Sequence, residues 1–324
     1  MTKSNPSRRS MIATLLSAAA LPALGQSDES STIEWVVGFP PGGGADASSR
    51  ILAELMSKNL GRTIIVTNKP GASTQIAADY VAAAKGGNMI FTADFSTLAT
   101  NSSLFPKLRY SPDRDFIVIG MQARTPMVLV GSMDVPANNF KELVSWVNKS
   151  PQELSYASAG PATPHHLAAE LLKAQTGLKL AHIPYRGAAP AILDVIGGQI
   201  PLGMADLATA RQYIIAGKIK AFGISSAKRS PNVPNVPTFI EQGLSEYETY
   251  AWQAVVVPSK TPSAQVSRFR EALVAVLDGQ AVKERYDALG IERMLGSREE
   301  IASFITREQK RWAQVIKTNN IKID

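Results

Sequence analysis

One arrangement in this chain occurs twice and limits what it can become. A strand-like run enters a loop of Gly, Pro and Ser, and that loop opens directly into an amphipathic helix. The first copy is Trp35-Val36-Val37-Gly38-Phe39, then Pro40-Pro41-Gly42-Gly43-Gly44, then a helix from Ala45. The second is Leu154-Ser155-Tyr156-Ala157, then Ser158-Ala159-Gly160-Pro161-Ala162-Thr163, then a helix from Pro164. A glycine-rich turn lets a ligand approach the backbone, and a helix N-terminus offers unpaired N–H groups and partial positive charge. Two such ends facing one another make a clamp for an anion.

The rest of the chain alternates in the same way, which predicts α/β architecture with mostly parallel sheets. Expected first are strand Ile33–Phe39, helix Ala45–Asn59, strand Thr63–Thr67, helix Thr74–Ala84 and strand Asn88–Ala93. The order then repeats as strand Leu154–Ala157, helix Pro164–Gln175, strand Lys179–Ile183, helix Ala189–Gly197 and strand Pro201–Ala205. Loops match as well: Asn68-Lys69-Pro70-Gly71 with Pro184-Tyr185-Arg186-Gly187, and Ala93-Asp94 with Ala205-Asp206. The reading is two similarly wound lobes joined by strands within Phe116–Val130 and Ala251–Pro258. Helices Ala264–Leu277, Val282–Leu289 and Glu299–Lys317 return to cover the first lobe. Two crossings between α/β lobes make a hinge. The expected boundaries are a signal peptide over 1–25, lobe 1 over 26–127 and 251–324, and lobe 2 over 128–250.

The signal rests on Lys3, Arg8 and Arg9 ahead of the apolar run Met11–Leu21, with small Ala23 and Gly25 placing cleavage before Gln26. That run is too short to span a bilayer. Ser7-Arg8-Arg9 also admits a twin-arginine export route beside the general secretory one. Removing 1–25 takes away three cations and no anions, so the net charge of +7 becomes 7 − 3 = +4. A mildly basic chain without a Lys/Arg tract is no nucleic-acid binder. Absence of cysteine rules out disulfides, thiol catalysis and cysteine-bound metal.

Several stretches follow one another in register: Phe39–Asp46, Asn68-Lys69-Pro70-Gly71, Ser158-Ala159-Gly160, His166-Leu167-Ala168, His182–Gly187 and Ser226-Ala227-Lys228-Arg229-Ser230-Pro231. Together they resemble the Bug family of periplasmic solute receptors, the binding components of tripartite tricarboxylate transporters. The resemblance implies a two-lobed, type II-like periplasmic binding protein. A carboxylate-bearing solute would sit between the lobes, held by both strand-to-helix loops and ordered water. It also implies a periplasmic monomer without cofactor or metal, working with membrane transporter subunits or a sensor kinase.

The candidate ligand-binding residues are Phe39, Gly43, Gly44, Ala45 and Asp46 in the first loop, and Asp94, Phe95 and Ser96 after the third strand. From the second lobe come Ser158, Gly160, Thr163, His166 and Asp206. Backbone N–H groups near Gly43 to Asp46 would take one carboxylate. Those near Gly160 to Thr163, with the Ser158 and Thr163 hydroxyls, would take another. Each charge-assisted bond contributes about 1.5–3 kcal/mol, so a handful supports micromolar binding. Two helix ends suit a dicarboxylate, and Phe39 with Phe95 extends that to an aromatic acid. Asp46 reads mainly as a helix-start charge. His165 and His166 diverge from one helix, so that one or the other sits near the cleft rim, while His182 packs beside its sheet.

Other chemistries fit less well, and no catalytic residues are assigned. Gly42-Gly43-Gly44-Ala45-Asp46-Ala47 matches a dinucleotide fingerprint in form, but Thr67-Asn68-Lys69 lacks the acid that should end the second strand. A hydrolase would need Ser158 with His165 or His166 and Asp206. Yet Tyr156-Ala157-Ser158-Ala159-Gly160 lacks the first glycine of a nucleophile elbow. A secreted ligand sensor without transport is the other alternative.

Overall fold

The computed structural model describes residues 32–323, so the expected signal peptide lies outside the described residues. The first sheet grows from strand β1 (Ile33–Val37), a central strand with Trp35 and Val36 buried on opposite faces. Helix α1 (Gly44–Leu60) leads to β2 (Ile64–Asn68), and α2 (Gln75–Ala82) leads to β3 (Met89–Asp94). Strands β2 and β3 flank β1 in parallel. A π-helical turn, Ser96–Thr100, and short helices α3 (Asn101–Leu104) and α4 (Pro112–Asp115) then lead to the long strand β4 (Phe116–Gly131).

Helix α5 (Phe140–Lys149) precedes the second sheet. Here β5 (Leu154–Ser158), α6 (Pro164–Thr176), β6 (Leu180–Pro184), α7 (Ala188–Ile196) and β7 (Leu202–Asp206) repeat the first winding, with β5 parallel to both β6 and β7. Helix α8 (Leu207–Ile215) and strand β8 (Lys220–Ile224) follow. Strand β9 (Tyr250–Pro258) returns to the first sheet, and α9 (Ser263–Asp278), α10 (Gln280–Leu289) and α11 (Arg298–Thr318) close the chain.

Strand β4 belongs to both sheets. Its first part, Phe116 to Pro126, pairs antiparallel with β9, which also borders β3. Its last part, Met127 to Gly131, lies between β7 and β8. The sheets therefore run β2-β1-β3-β9-β4 and β8-β4-β7-β5-β6, meeting where β4 changes partners. The expected strands and helices form with ends shifted by one or two residues, as hydrogen bonds at element ends fray. Helices α5 and α8 and strand β8 carried no expectation.

A buried polar network fixes α1 to its sheet. Trp35 Nε1 donates to Thr92 Oγ1 at 2.8 Å, and Thr92 donates to Gln122 Oε1 at 2.9 Å. Gln122 Nε2 in turn donates to Ser48 Oγ at 2.6 Å on α1. Such a network is stabilising because each member is satisfied, and so it holds the start of α1 in one place.

Helix α11 begins with a capping box made by Ser297 and Glu300. It buries a stripe of Ile301, Ile305, Glu308, Trp312 and Ile316 at helical spacing. Trp252 and Trp312 both donate their indole N–H to Glu308 Oε2, at 3.0 and 3.2 Å.

Candidate functional site

Between the two sheets lies a partly open cavity of about 530 Å³, counting the solvent space at its mouth. A groove of about 960 Å³ opens beside it. Phe39, Pro40, Ala159 and Gly187 line both and form the partition. Strand residues Thr125, Ala251 and Gln253 contribute where β4 and β9 cross.

Three helices begin at this cavity. Gly44 and Ala45 open α1, Pro164 and His165 open α6, and Ala188 and Ala189 open α7; all six line it. The first turn of any helix leaves N–H groups without intrahelical partners. The Gly43 cap of α1 and the Gly187 cap of α7 lack side chains, so neither satisfies those groups from within. Gly187 sits at φ 116, and a Cβ there would lie 3.0 Å from Pro40 of the opposite side. Backbone conformation and close approach both demand glycine. What results is a partly open cleft with fixed partial positive charge on two sides.

The sides touch directly. Ser73 Oγ donates to the Pro161 carbonyl at 2.6 Å, and Ser96 Oγ and Thr100 Oγ1 donate to the Ala162 carbonyl at 3.3 and 3.2 Å. Ala72, Ser73 and Thr74 run consecutively at positive φ to make the first of these contacts. Ala162, at φ 58, makes the others. Non-glycine residues adopt that region at a cost, so the contacts are held under strain.

Among the candidates, Phe39, Gly43, Gly44, Ala45, Asp94 and Asp206 line the cavity, and Gly160 and Thr163 line the groove. Asp94 accepts from the Ser96 and Thr97 amides at 3.1 and 3.0 Å. Asp206 caps α8 by accepting from Thr209 N at 3.0 Å, and pairs with His165 Nε2 at 3.1 Å. Burial alone would raise the Asp206 pKa, but the bonds from His165 and Thr209 pull it below the usual carboxylate value. Both aspartates thus serve as helix-start caps as well as cavity wall.

The structure corrects other placements. Phe95 does not reach the cleft; it is fully buried, edge-on to Trp252 and Trp312 at 5.9 and 5.0 Å. Ser96 is buried and bonds across to Ala162. Asp46 turns back on its own loop, accepting from Gly42 N at 3.0 Å and from Arg50 and Asn68. Burial pushes its pKa up, but those bonds outweigh it and leave the group below its ordinary value. Ser158 lines neither cavity; its Oγ meets His182 Nε2 at 2.6 Å and accepts from Gly160 N. The Thr163 hydroxyl is occupied with the Gly160 carbonyl and the His166 amide.

His166 also faces away from the cavity. Its ring stacks on His182 at 4.0 Å, and the Ala162 amide donates to its Nδ1 at 3.3 Å. Burial lowers the His166 pKa to about 4 and the His182 pKa to about 3. Ser158 and His182 thus pair beneath the surface, away from the cavity and the groove. The histidine that reaches the cavity is His165, one position earlier. His165, Ala188 and Ala189 line the cavity without having been named from the sequence, though Gly187 before a helix carried the same loop signal as Gly43.

Known proteins share this construction. The structure of the periplasmic binding protein BugD superposes with a TM-score of 0.85 at 33% identity, covering 90% of this chain and 98% of that one. Rpa4515 of R. palustris, solved with adipate, gives 0.86 at 30% identity with the same coverages, 90% and 98%. MatC of Rhodopseudomonas palustris, solved with bound malate, gives 0.83 at 30% identity, covering 88% and 98%. These likenesses establish the two-lobed solute-binding fold. Residues 48–321 match the tripartite tricarboxylate transporter family receptor. The chain belongs to that receptor family, in its Bug branch.

Proposed function

We propose that this protein is a periplasmic receptor for a small dicarboxylate, which it encloses between its lobes and presents to the membrane subunits of a tripartite transporter. The observation that carries this reading is the convergence of the α1 and α7 amide ends, both without side-chain caps, on one cavity between the sheets. Relatives with bound adipate and malate support the ligand class. The membership supports a binding role without catalysis and a transporter as partner. No helix among the described residues is long and apolar enough to cross a membrane.

In this reading lobe 1 comprises 26–127 with 251–324, lobe 2 comprises 128–250, and closure turns about the two crossing strands. Ligand contacts are Phe39, Gly43, Gly44, Ala45, Asp94 and Asp206, joined by His165, Ala188 and Ala189. With Phe95 in the core, Phe39 alone supplies an aromatic wall, which favours aliphatic over aromatic acids. A thermal-shift screen over adipate, malate, succinate, citrate, acidic amino acids and phthalate tests it. A rise of melting temperature with an aliphatic diacid is expected. Unchanged melting across the set refutes the carboxylate reading, and a response to phthalate alone refutes the aliphatic preference. Loss of uptake of the bound acid on deletion separates transport from sensing alone.

A further inference from the structure

Of the side chains lining the cavity, those that titrate are Asp94, His165 and Asp206, and no Lys or Arg is among them. Asp94 receives the Ser96 and Thr97 amides and the Thr97 hydroxyl. Asp206 receives the Thr209 amide and hydroxyl and faces His165 Nε2. An ionised Asp206 requires a proton on that nitrogen, which leaves His165 Nδ1 as the ring's open position. His165 is 6% exposed, and its Nδ1 is buried with no hydrogen-bond partner. On the other face of α6 stand His166, His182, Glu170 and Lys173, none of which lines the cavity.

A bound diacid would bring two negative charges beside the two resident aspartates. Against these stand helix ends worth roughly half a charge each. Asp94 and Asp206 already accept bonds from amides and hydroxyls, so the unpartnered position for a proton in this lining is His165 Nδ1. Building on the carboxylate reading, we propose that His165 takes up a proton as ligand binds and donates it, from Nδ1, in a hydrogen bond to a ligand carboxylate. The proton comes from solvent before the cleft closes, since Nδ1 has no access once it has. Asp206 holds the ring in place through Nε2 and keeps the imidazolium paired. Bound anion then raises the proton affinity of His165 above its ligand-free value. Affinity is full while the free imidazole is protonated, and falls as pH rises beyond that point.

Calorimetric titration of the mature protein with adipate and malate, in two buffers of different ionisation enthalpy between about pH 6 and 8.5, tests this. Expected are net proton uptake of up to one per ligand at the alkaline end and a loss of affinity approaching tenfold per pH unit. Both dependences should vanish in His165→Gln. Imidazole nitrogen shifts in the unmutated protein, moving to the doubly protonated form on ligand addition, give the same answer if that variant does not fold. Tight binding with no proton exchanged and flat affinity overturns the proposal. So does a His165→Gln defect confined to malate, which would make Nδ1 an acceptor for the ligand hydroxyl. Failure of both acids and of the whole screen overturns the carboxylate reading, and this inference with it.

Discussion

At Gly44 the opposing walls come so close that a Cβ would lie 2.8 Å from the Asp206 carboxylate and 3.3 Å from Ala208. Gly44→Ala should therefore weaken acid binding by about tenfold or more, roughly 1.4 kcal/mol, by holding the cleft ajar. Melting of the ligand-free protein should barely change, because alanine suits the first turn of a helix. Calorimetry paired with thermal unfolding checks both halves. A second expectation concerns the stacked His166 and His182. Their folded pKa values, about 4 and about 3, lie below the unfolded value of 6.5. In that window the unfolded chain binds more protons, so stability rises with pH. The contribution is full above the unfolded pKa and is lost as pH falls toward 4 and then 3. The pair should contribute a slope on the order of 1 to 3 kcal/mol per pH unit between those limits. Urea titrations of the parent and His182→Gln at several pH values will show whether the slope shrinks in the variant. Residue types pointed to the right loops here but not to the right side of them. Asp94 and Phe95 are neighbours, yet one faces the cavity and the other the tryptophans. One step along a helix likewise separates His165 from His166, and no spacing rule says which turns inward.

Elements were more legible than side chains. Glycine turns, apolar runs and proline stops marked β1 through β3 and β5 through β7, although only β1, β3 and β7 are buried along nearly their whole length while the edge strands β2 and β6 are half-buried. The α8 start carried no expectation because its cap, Asp206, was read as a cleft acid. Helix α11 shows what periodicity omits: a charged residue at a core position is silent until its partners are known. Glu308→Ala would strip the acceptor from two buried indole N–H groups and should cost about 2–4 kcal/mol of unfolding free energy. Glu308→Gln keeps an acceptor oxygen and should lose less. Denaturant midpoints with tryptophan fluorescence report both. Ser297→Ala, which breaks the capping box, should cost about 1 kcal/mol by the same measurement.

For the molecule as a whole, β4 and β9 are the paths by which one sheet passes to the other, and the cleft walls meet through Ser73, Ser96 and Thr100. Ser73→Ala should speed ligand release several-fold while leaving unfolding within about 0.5 kcal/mol of the parent, since it removes a contact at the mouth of the cleft. Stopped-flow displacement measures the release. The two-sheet plan was readable from the repeated winding, because both halves solve the same burial problem with the same order of strands. The closed contacts were not, since they depend on carbonyls such as those of Pro161 and Ala162 that sequence patterns do not mark. The chain path has a further consequence for biogenesis. Strands β5 through β8 and the helices between them come from one continuous stretch, whereas the other sheet lacks β9, and its tryptophan-rich backing lacks α11, until the final quarter emerges. Vectorial synthesis lets contiguous units form early. The later half can therefore fold first, leaving the earlier half, with the glycine loop at its head, to wait for the C-terminal tail.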